Sequence, residues 1–213
     1  MARSAISSKP FRPGTTGWEA DDLLDPRIEA HWFRGRYEIV EGVLTEMPAA
    51  YFSGAKRLYR LQLQVSMYQY SAGVAGAFAN DVDILIEPAR VVRADAVWMT
   101  PEDEARQASA AAARPPGECE SDPQRMRLLV PPTLVIESLS PGHEAHDRRT
   151  KRKWYAEFGV PHYWLFNPFE RSLECLVLER ASYRVDQAAR GDADVRPALF
   201  PGLVVALAAV WSD

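Results

Sequence analysis

"TLVIESLSPGHEAHDRRTKRKWYAEFGVPHYWLFNP", residues 133–168, carries three patterns in succession. Thr133–Leu139 is a short, almost continuous apolar run, as expected for a strand buried on both faces, and its one acid, Glu137, stands out for that reason. Ser140 and Pro141 read as the cap and first-turn residues of a helix that stops at Gly159 and Pro161. "HYWLFNP" then reads as a second strand, joined by "PFERS" to a third, "LECLVLE". Strand, helix and strand in this order predict an α/β fold with a mixed central sheet and flanking helices.

Working outward, "DVDILIEPARVVRADAVWM", residues 81–99, reads as two Val- and Ile-rich strands about a turn at Pro88. Before it, Leu58, Leu61, Val65, Tyr68 and Ala72 recur at steps of three and four, which sets them on one face of a helix that covers the sheet. "RYEIVEGVLTEMPA" alternates on both sides of Glu41-Gly42, the pattern of a hairpin with a tight turn. "WEADDLLDPRIEAHWF", residues 18–33, predicts one or two short helices broken near Pro26. "SYRVD" adds a strand, and "LFPGLVVALAAVW" ends the fold. Residues 101–130 are Ala-rich, polar and Pro-interrupted, and read as a loop insertion with one helical turn. The expected organisation is a flexible segment over 1–17 and one domain over 18–213.

The chain has 213 residues, a hydrophobic fraction of 47% and a formal charge of −4, with pI near 5.7. That balance argues against a protein that coats nucleic acid by bulk charge, so any polyanion contact must be local. Two cysteines, Cys119 and Cys175, are too few for a disulfide framework and suggest a reducing compartment. No stretch has the apolar length of a signal peptide or of a membrane span. A soluble cytoplasmic protein is expected.

"HEAHD" brings to mind the zinc-protease motif H-E-x-x-H, which needs its histidines four apart so that both rings reach one metal. His143 and His146 are three apart, and Asp147 stands where the second histidine belongs. Two exposed histidines at a helix start are the better reading. Ser140 beside His143 is likewise a helix start rather than a nucleophile and its base. Elbow, phosphate-cradling and dinucleotide motifs are absent from the sequence.

The basic run from Arg148 to Lys153 reads first as a solvated face. It is not uniform, however: Asp147, Lys151 and Tyr155 are spaced four and four and form one stripe, with Trp154 and Phe158 as apolar anchors. Asp95 and Glu137, 42 residues apart, each interrupt an apolar strand. A carboxylate there is costly unless it is paired or binds a cation. Two acids without neighbouring cysteine or histidine suit Mg²⁺ or Mn²⁺. A divalent ion held by carboxylates with a nearby lysine is the equipment of phosphodiester hydrolysis. The bland alternative is an i to i+4 ion pair between Asp147 and Lys151, which leaves Glu137 unexplained.

"RYEIVEG", "ADAVWM", "VIESLSP", "DRRTKRKWYAEFGVPHYWLFNP" and "LFPGL" fall in the order and approximate spacing of the Uma-two family, which the chain resembles from about Trp18 to Trp211. That family is a bacterial group of restriction-type endonucleases in the PD-(D/E)XK superfamily. The resemblance implies a restriction-endonuclease-like α/β core, metal-binding acids at Asp95 and Glu137, and a catalytic lysine moved from the strand to the helix at Lys151. The position two residues after the acid, where the superfamily usually carries its lysine, is Leu139. The family's early acid corresponds to Glu38, with Glu41 nearby as a turn residue. Three features depart from the pattern: Ala94 replaces the proline before the strand aspartate, no histidine occurs in residues 53–60, and the insertion after Thr100 is long.

The expected function is a Mg²⁺- or Mn²⁺-dependent DNA endonuclease using Asp95, Glu137 and Lys151. Asp147 and Tyr155 would orient the helix or the lysine, and Arg148, Arg149, Arg152 and Lys153 are candidate phosphate contacts. Two cuts on a duplex imply a homodimer. The rival reading is a nuclease-fold protein that binds nucleic acid or a partner without turnover. A third is a hydrolase of phosphorylated small molecules that uses the same metal set.

Overall fold

Two left-handed residues close the first hairpin. Glu41 and Gly42 have φ of 49° and 73°, which gives the twist that joins neighbouring antiparallel strands tightly. Strand β1 (Tyr37–Val40) thereby pairs with β2 (Val43–Glu46), from Tyr37 opposite Glu46 to Val40 opposite Val43. The computed structural model describes residues 9–49, 51–114 and 127–212. Cys119 and the second half of the expected insertion therefore lie outside the described residues. Among the described residues no helix is long and apolar enough to cross a membrane.

The chain divides into two compact units, Met1–Ala49 with Asp83–Arg93 and Ser109–Leu129, and Ala50–Val82 with Ala94–Ala108 and Val130–Asp213. In the first, a 3-10 turn (Ala20–Leu24) leads into α1 (Pro26–Trp32), which the Asp25 carboxylate caps through the Arg27 N–H. Trp18, Leu23, Trp32, Ile39, Leu44 and Val91 form its core. In the described part of the segment 1–17, expected to be flexible, residues 14–16 lie against β2. Gly14 N–H donates to the Leu44 carbonyl at 2.8 Å, Leu44 N–H to Thr15 at 3.0 Å, and Thr16 bridges Val43. The exposed side of β2 supplied the partners that local sequence does not advertise.

The second unit holds α2 (Phe52–Ala72), ended by left-handed Gly73. Strands β3 (Ala77–Glu87) and β4 (Arg90–Met99) pair with each other. Beyond β4 the sheet continues through β5 (Leu134–Ser138), β6 (His162–Asn167), β7 (Ser172–Glu179) and β8 (Ser182–Arg190). All neighbours in that series are antiparallel except β5 and β6. Parallel neighbours need a crossover. The quoted segment provides it, as a π-helical turn (His146–Lys151) running into α4 (Arg152–Phe158). A small pair, β9 (Asp194–Val195) and β10 (Val205–Ala206), precedes α5 (Leu207–Trp211).

Residues 101–112 depart from the expected loop: Pro101–Ala112 is a helix, α3. Thr100 and Asp103 exchange cap bonds at its start, Asp103 N–H to the Thr100 hydroxyl and Thr100 N–H to the Asp103 carboxylate. Pro101 and the acids at 102–104 are what a first turn favours. High Ala propensity then carries the helix without a strong apolar period.

Candidate active site

Strand parity sorts the sheet of the second unit into two faces. Ala96, Trp98, Leu134, Ile136, Trp164 and Phe166 join Leu58, Leu61 and Val65 of α2 in one apolar cluster. Their odd-numbered neighbours, among them Asp95, Glu137, Tyr163 and Leu165, point the other way because side chains alternate along a strand. That second face receives the crossover. Trp154 and Tyr155 are buried there, with exposures of 2% and 0%.

The β4–β5 pairing runs from Trp98–Leu134 to Ala96–Ile136. One step further stand Asp95 and Glu137. Here a side chain intervenes: the Asp95 carboxylate accepts the Ser138 N–H at 2.7 Å. The ladder therefore gives way where the two acids lie on neighbouring strands.

Glu137, Lys151 and Asp147 are 2%, 3% and 6% exposed. Lys151 Nζ donates to Glu137 Oε1 at 3.1 Å and lies 3.4 Å from Asp147 Oδ1. Tyr155 hydroxyl donates to the same Glu137 oxygen at 2.7 Å. The expected stripe Asp147, Lys151, Tyr155 thus forms and faces Glu137. The π turn lets the Arg152 N–H reach back to the Asp147 carbonyl, a register found mostly as single turns and often at functional sites. Tyr163 hydroxyl donates to that same carbonyl at 3.1 Å.

Tyr163 did not stand out in the sequence. The signal available was its parity with Leu165, the residue paired to Glu137 in the parallel ladder. Burial, then the charges of Glu137, Asp147, Tyr183 and Asp95, push its phenol well above the ordinary value of 10.0. Tyr163 therefore remains a donor. The same influences mark this face as rich in negative charge.

The other predicted residues are placed differently. Glu38, fully buried in the first unit, accepts the Arg93 N–H at 3.2 Å. Arg148 pairs with Glu174 at 2.6 Å, and Arg152 donates to the Tyr183 carbonyl at 2.8 Å. Arg149 is exposed, as is Lys153, which lies 3.7 Å from Glu157. His143 is exposed, and the His146 ring stands edge-on to Trp154 at 6.1 Å. Among the described residues no group of three or more His, Cys, Asp or Glu is arranged to hold a metal. Asp147 answers Lys151 rather than converging with the two strand acids.

A family model described as "Uma2: Putative restriction endonuclease" matches residues 33–208. No curated protein matches the chain. The crystal structure of "a putative nuclease belonging to DUF820" from Anabaena variabilis ATCC 29413 aligns with a TM-score of 0.57 at 14% identity, covering 82% of this chain and 89% of that one. This likeness establishes the fold. A DrdV–DNA complex aligns over 65% of this chain and 12% of its own at 10% identity, and its TM-score of 0.30 carries no argument.

Proposed function

The chain belongs to the Uma2 family of restriction-endonuclease type, and on that premise we propose that it is a metal-dependent DNA endonuclease. One observation carries this reading: a buried lysine stands 3.1 Å from Glu137 and 3.4 Å from Asp147, on the face where Asp95 and Glu137 lie on adjoining strands. An isolated structural lysine needs one counter-ion; this one faces two carboxylates.

The donor set fits Mg²⁺ or Mn²⁺. Asp95 and Glu137 offer hard oxygens without nitrogen or sulfur, and Mg²⁺ is usually held by one or two carboxylates while keeping several waters. These two residues would hold the ion, which when bound supplies Lewis acidity and a more acidic water. Lys151 then has two tasks, to position the attacking water through a donor and to offset charge developing on the phosphate. Asp147 draws the ammonium from the other side, and Tyr155 fixes the orientation of the Glu137 carboxylate. Arg149 and Lys153, the exposed members of the basic run, would meet phosphates. With so few cations, binding is modest and weakens as salt rises. Cleaving both strands of a duplex takes two such sites, hence a homodimer.

The test is nicking of supercoiled plasmid with Mg²⁺, Mn²⁺ or EDTA, beside folded Lys151→Ala and Asp95→Ala proteins. Metal-dependent nicking that disappears in both variants is the expected result. Nicking that survives in both would reject this site. No nicking by any protein, together with no Mn²⁺ binding, would favour the non-catalytic binding protein.

A further inference from the structure

Helix α2 is apolar on two faces. Leu58, Leu61 and Val65 belong to the unit's core, yet Phe52, Tyr59, Leu63, Met67 and Tyr70 are 84%, 61%, 42%, 64% and 94% exposed. With Ala55, Lys56 and Ser66, also exposed, these residues recur at steps of three and four and make one continuous solvent-facing stripe. Lys56 is its sole charge. A helix face meant only for water carries polar and charged residues, and contiguous apolar patches of several hundred Å² mark interaction sites.

We propose that this stripe is the contact between two copies of the chain, crossing antiparallel about a two-fold axis at position 61. The inference rests on the homodimer of the preceding reading but not on its chemistry. The positions are symmetric about 61, so the axis sets 52 against 70, 55 against 67, 56 against 66 and 59 against 63. Phe52 then meets Tyr70, Ala55 makes room for Met67, Lys56 faces Ser66 and Tyr59 covers Leu63. Each contact occurs twice, as an isologous interface requires.

Area and charge support this occupant. Aromatic side chains bury roughly 150–250 Å² each, so the exposed parts of Phe52, Tyr59 and Tyr70, with Leu63 and Met67, supply most of the roughly 800 Å² per partner of a stable interface. Helix α2 carries Lys56, Arg57 and Arg60 towards its start and no acid anywhere. A parallel arrangement would place Lys56 against its own copy. The antiparallel one places the basic half beside the partner's helix C-terminus, where the dipole is negative. A nucleic acid is the poorer occupant, since the stripe offers one cation and the chain a net charge of −4.

Sedimentation velocity on the full chain at micromolar concentration tests the proposal. The wild type sediments as a dimer. Met67→Glu, which buries an unpaired charge in the contact, weakens association at least about thirtyfold, the scale of an interface hot spot. Combining Met67→Glu with Ala55→Lys sets opposite charges face to face and restores the dimer. Both positions are exposed, so circular dichroism stays as in the wild type, and melting falls only by what the lost association contributed. A monomeric wild type, a Met67→Glu protein that remains dimeric, or a double variant that stays dissociated overturns the proposal. If the wild type is monomeric and Met67→Glu loses DNA binding, the stripe is a nucleic-acid platform instead. A dimer that behaves as expected but never nicks plasmid removes the catalytic reading and leaves this one standing.

Discussion

Each of the two units buries a cation against carboxylates, Arg93 in the first and Lys151 in the second, and the two are satisfied in opposite ways. In the first, Arg93 grips Asp83 with two bonds, Nε to Oδ1 at 2.7 Å and Nη2 to Oδ2 at 3.1 Å. Its Nη1 donates to the Gly35 carbonyl at 2.9 Å, Trp32 Nε1 donates to Asp83, and the guanidinium lies over the Trp32 ring at 5.4 Å. A planar fork meets a planar carboxylate, one charge answers one charge, and the geometry is closed. In the second unit one ammonium faces Glu137 and Asp147, with Asp95 on the same side of the sheet. The acids outnumber the base there. A closed pair serves the fold, whereas a surplus of buried negative charge costs stability unless a cation arrives.

Asp83→Ala should give the largest effect, a loss of about 3–5 kcal/mol in urea unfolding, because it strands the Arg93 charge. Replacing both partners, Asp83→Leu with Arg93→Met, should recover most of that loss. A single-variant cost below about 1 kcal/mol would break the contrast, since it would mean that the pair is not holding the unit together. Asp95→Asn should do the reverse. Metal-dependent nicking falls by about 10²–10³-fold, the scale on which preorganised electrostatics act. Its melting temperature stays level or rises by the equivalent of about 1 kcal/mol, as when a functional site is relieved of like charges. A clear loss of stability in this variant would class Asp95 with Asp83.

The sequence made one of these regions legible and left the other unread. Glu137 was visible as the lone acid of a buried strand and Asp95 as its counterpart, and period-2 alternation then dictated that both leave the apolar cluster together. Lys151 followed from its four-residue spacing to Asp147 and Tyr155. Asp83 and Arg93 lie ten apart on two strands rich in other charges, so only the β3–β4 pairing reveals that they meet. Tyr163 was hidden for a similar reason, because an aromatic residue in a core strand looks like packing until a π turn presents it with a carbonyl. Helix α3 is a different failure. The start chemistry of Thr100, Pro101 and Asp103 went unread, because an Ala-rich segment lacks the periodicity by which helices are usually recognised.

Tyr155→Phe sharpens the comparison within the open cluster. It removes a donor to Glu137 Oε1, and a buried bond to a charged group contributes about 1.5–3 kcal/mol. If Tyr155 positions the carboxylate, kcat for nicking should fall while KM changes little, and the Mn²⁺ affinity of the protein should drop. A variant that is less stable but has wild-type kcat and Mn²⁺ affinity would make Tyr155 a packing residue alone.

Asp103 is an acid of the closed kind, held by Thr133, the Thr100 N–H and the single cation Arg106. Burial raises its pKa, but bonds from Thr133, Arg106 and the Thr100 N–H more than offset this, and the carboxyl sits below its ordinary value of 3.8. A depressed carboxyl stabilises the fold while it is ionised. Its contribution is complete above the unfolded value and is lost as pH falls through the lower folded value. Asp103→Ala should therefore cost about 1 kcal/mol near neutral pH, the usual worth of a helix cap. The gap between variant and wild-type melting temperatures should narrow as pH is taken below the range of a free carboxyl. A gap that held constant into acid would assign the effect to lost packing, and the ionised carboxylate would then contribute nothing at this position.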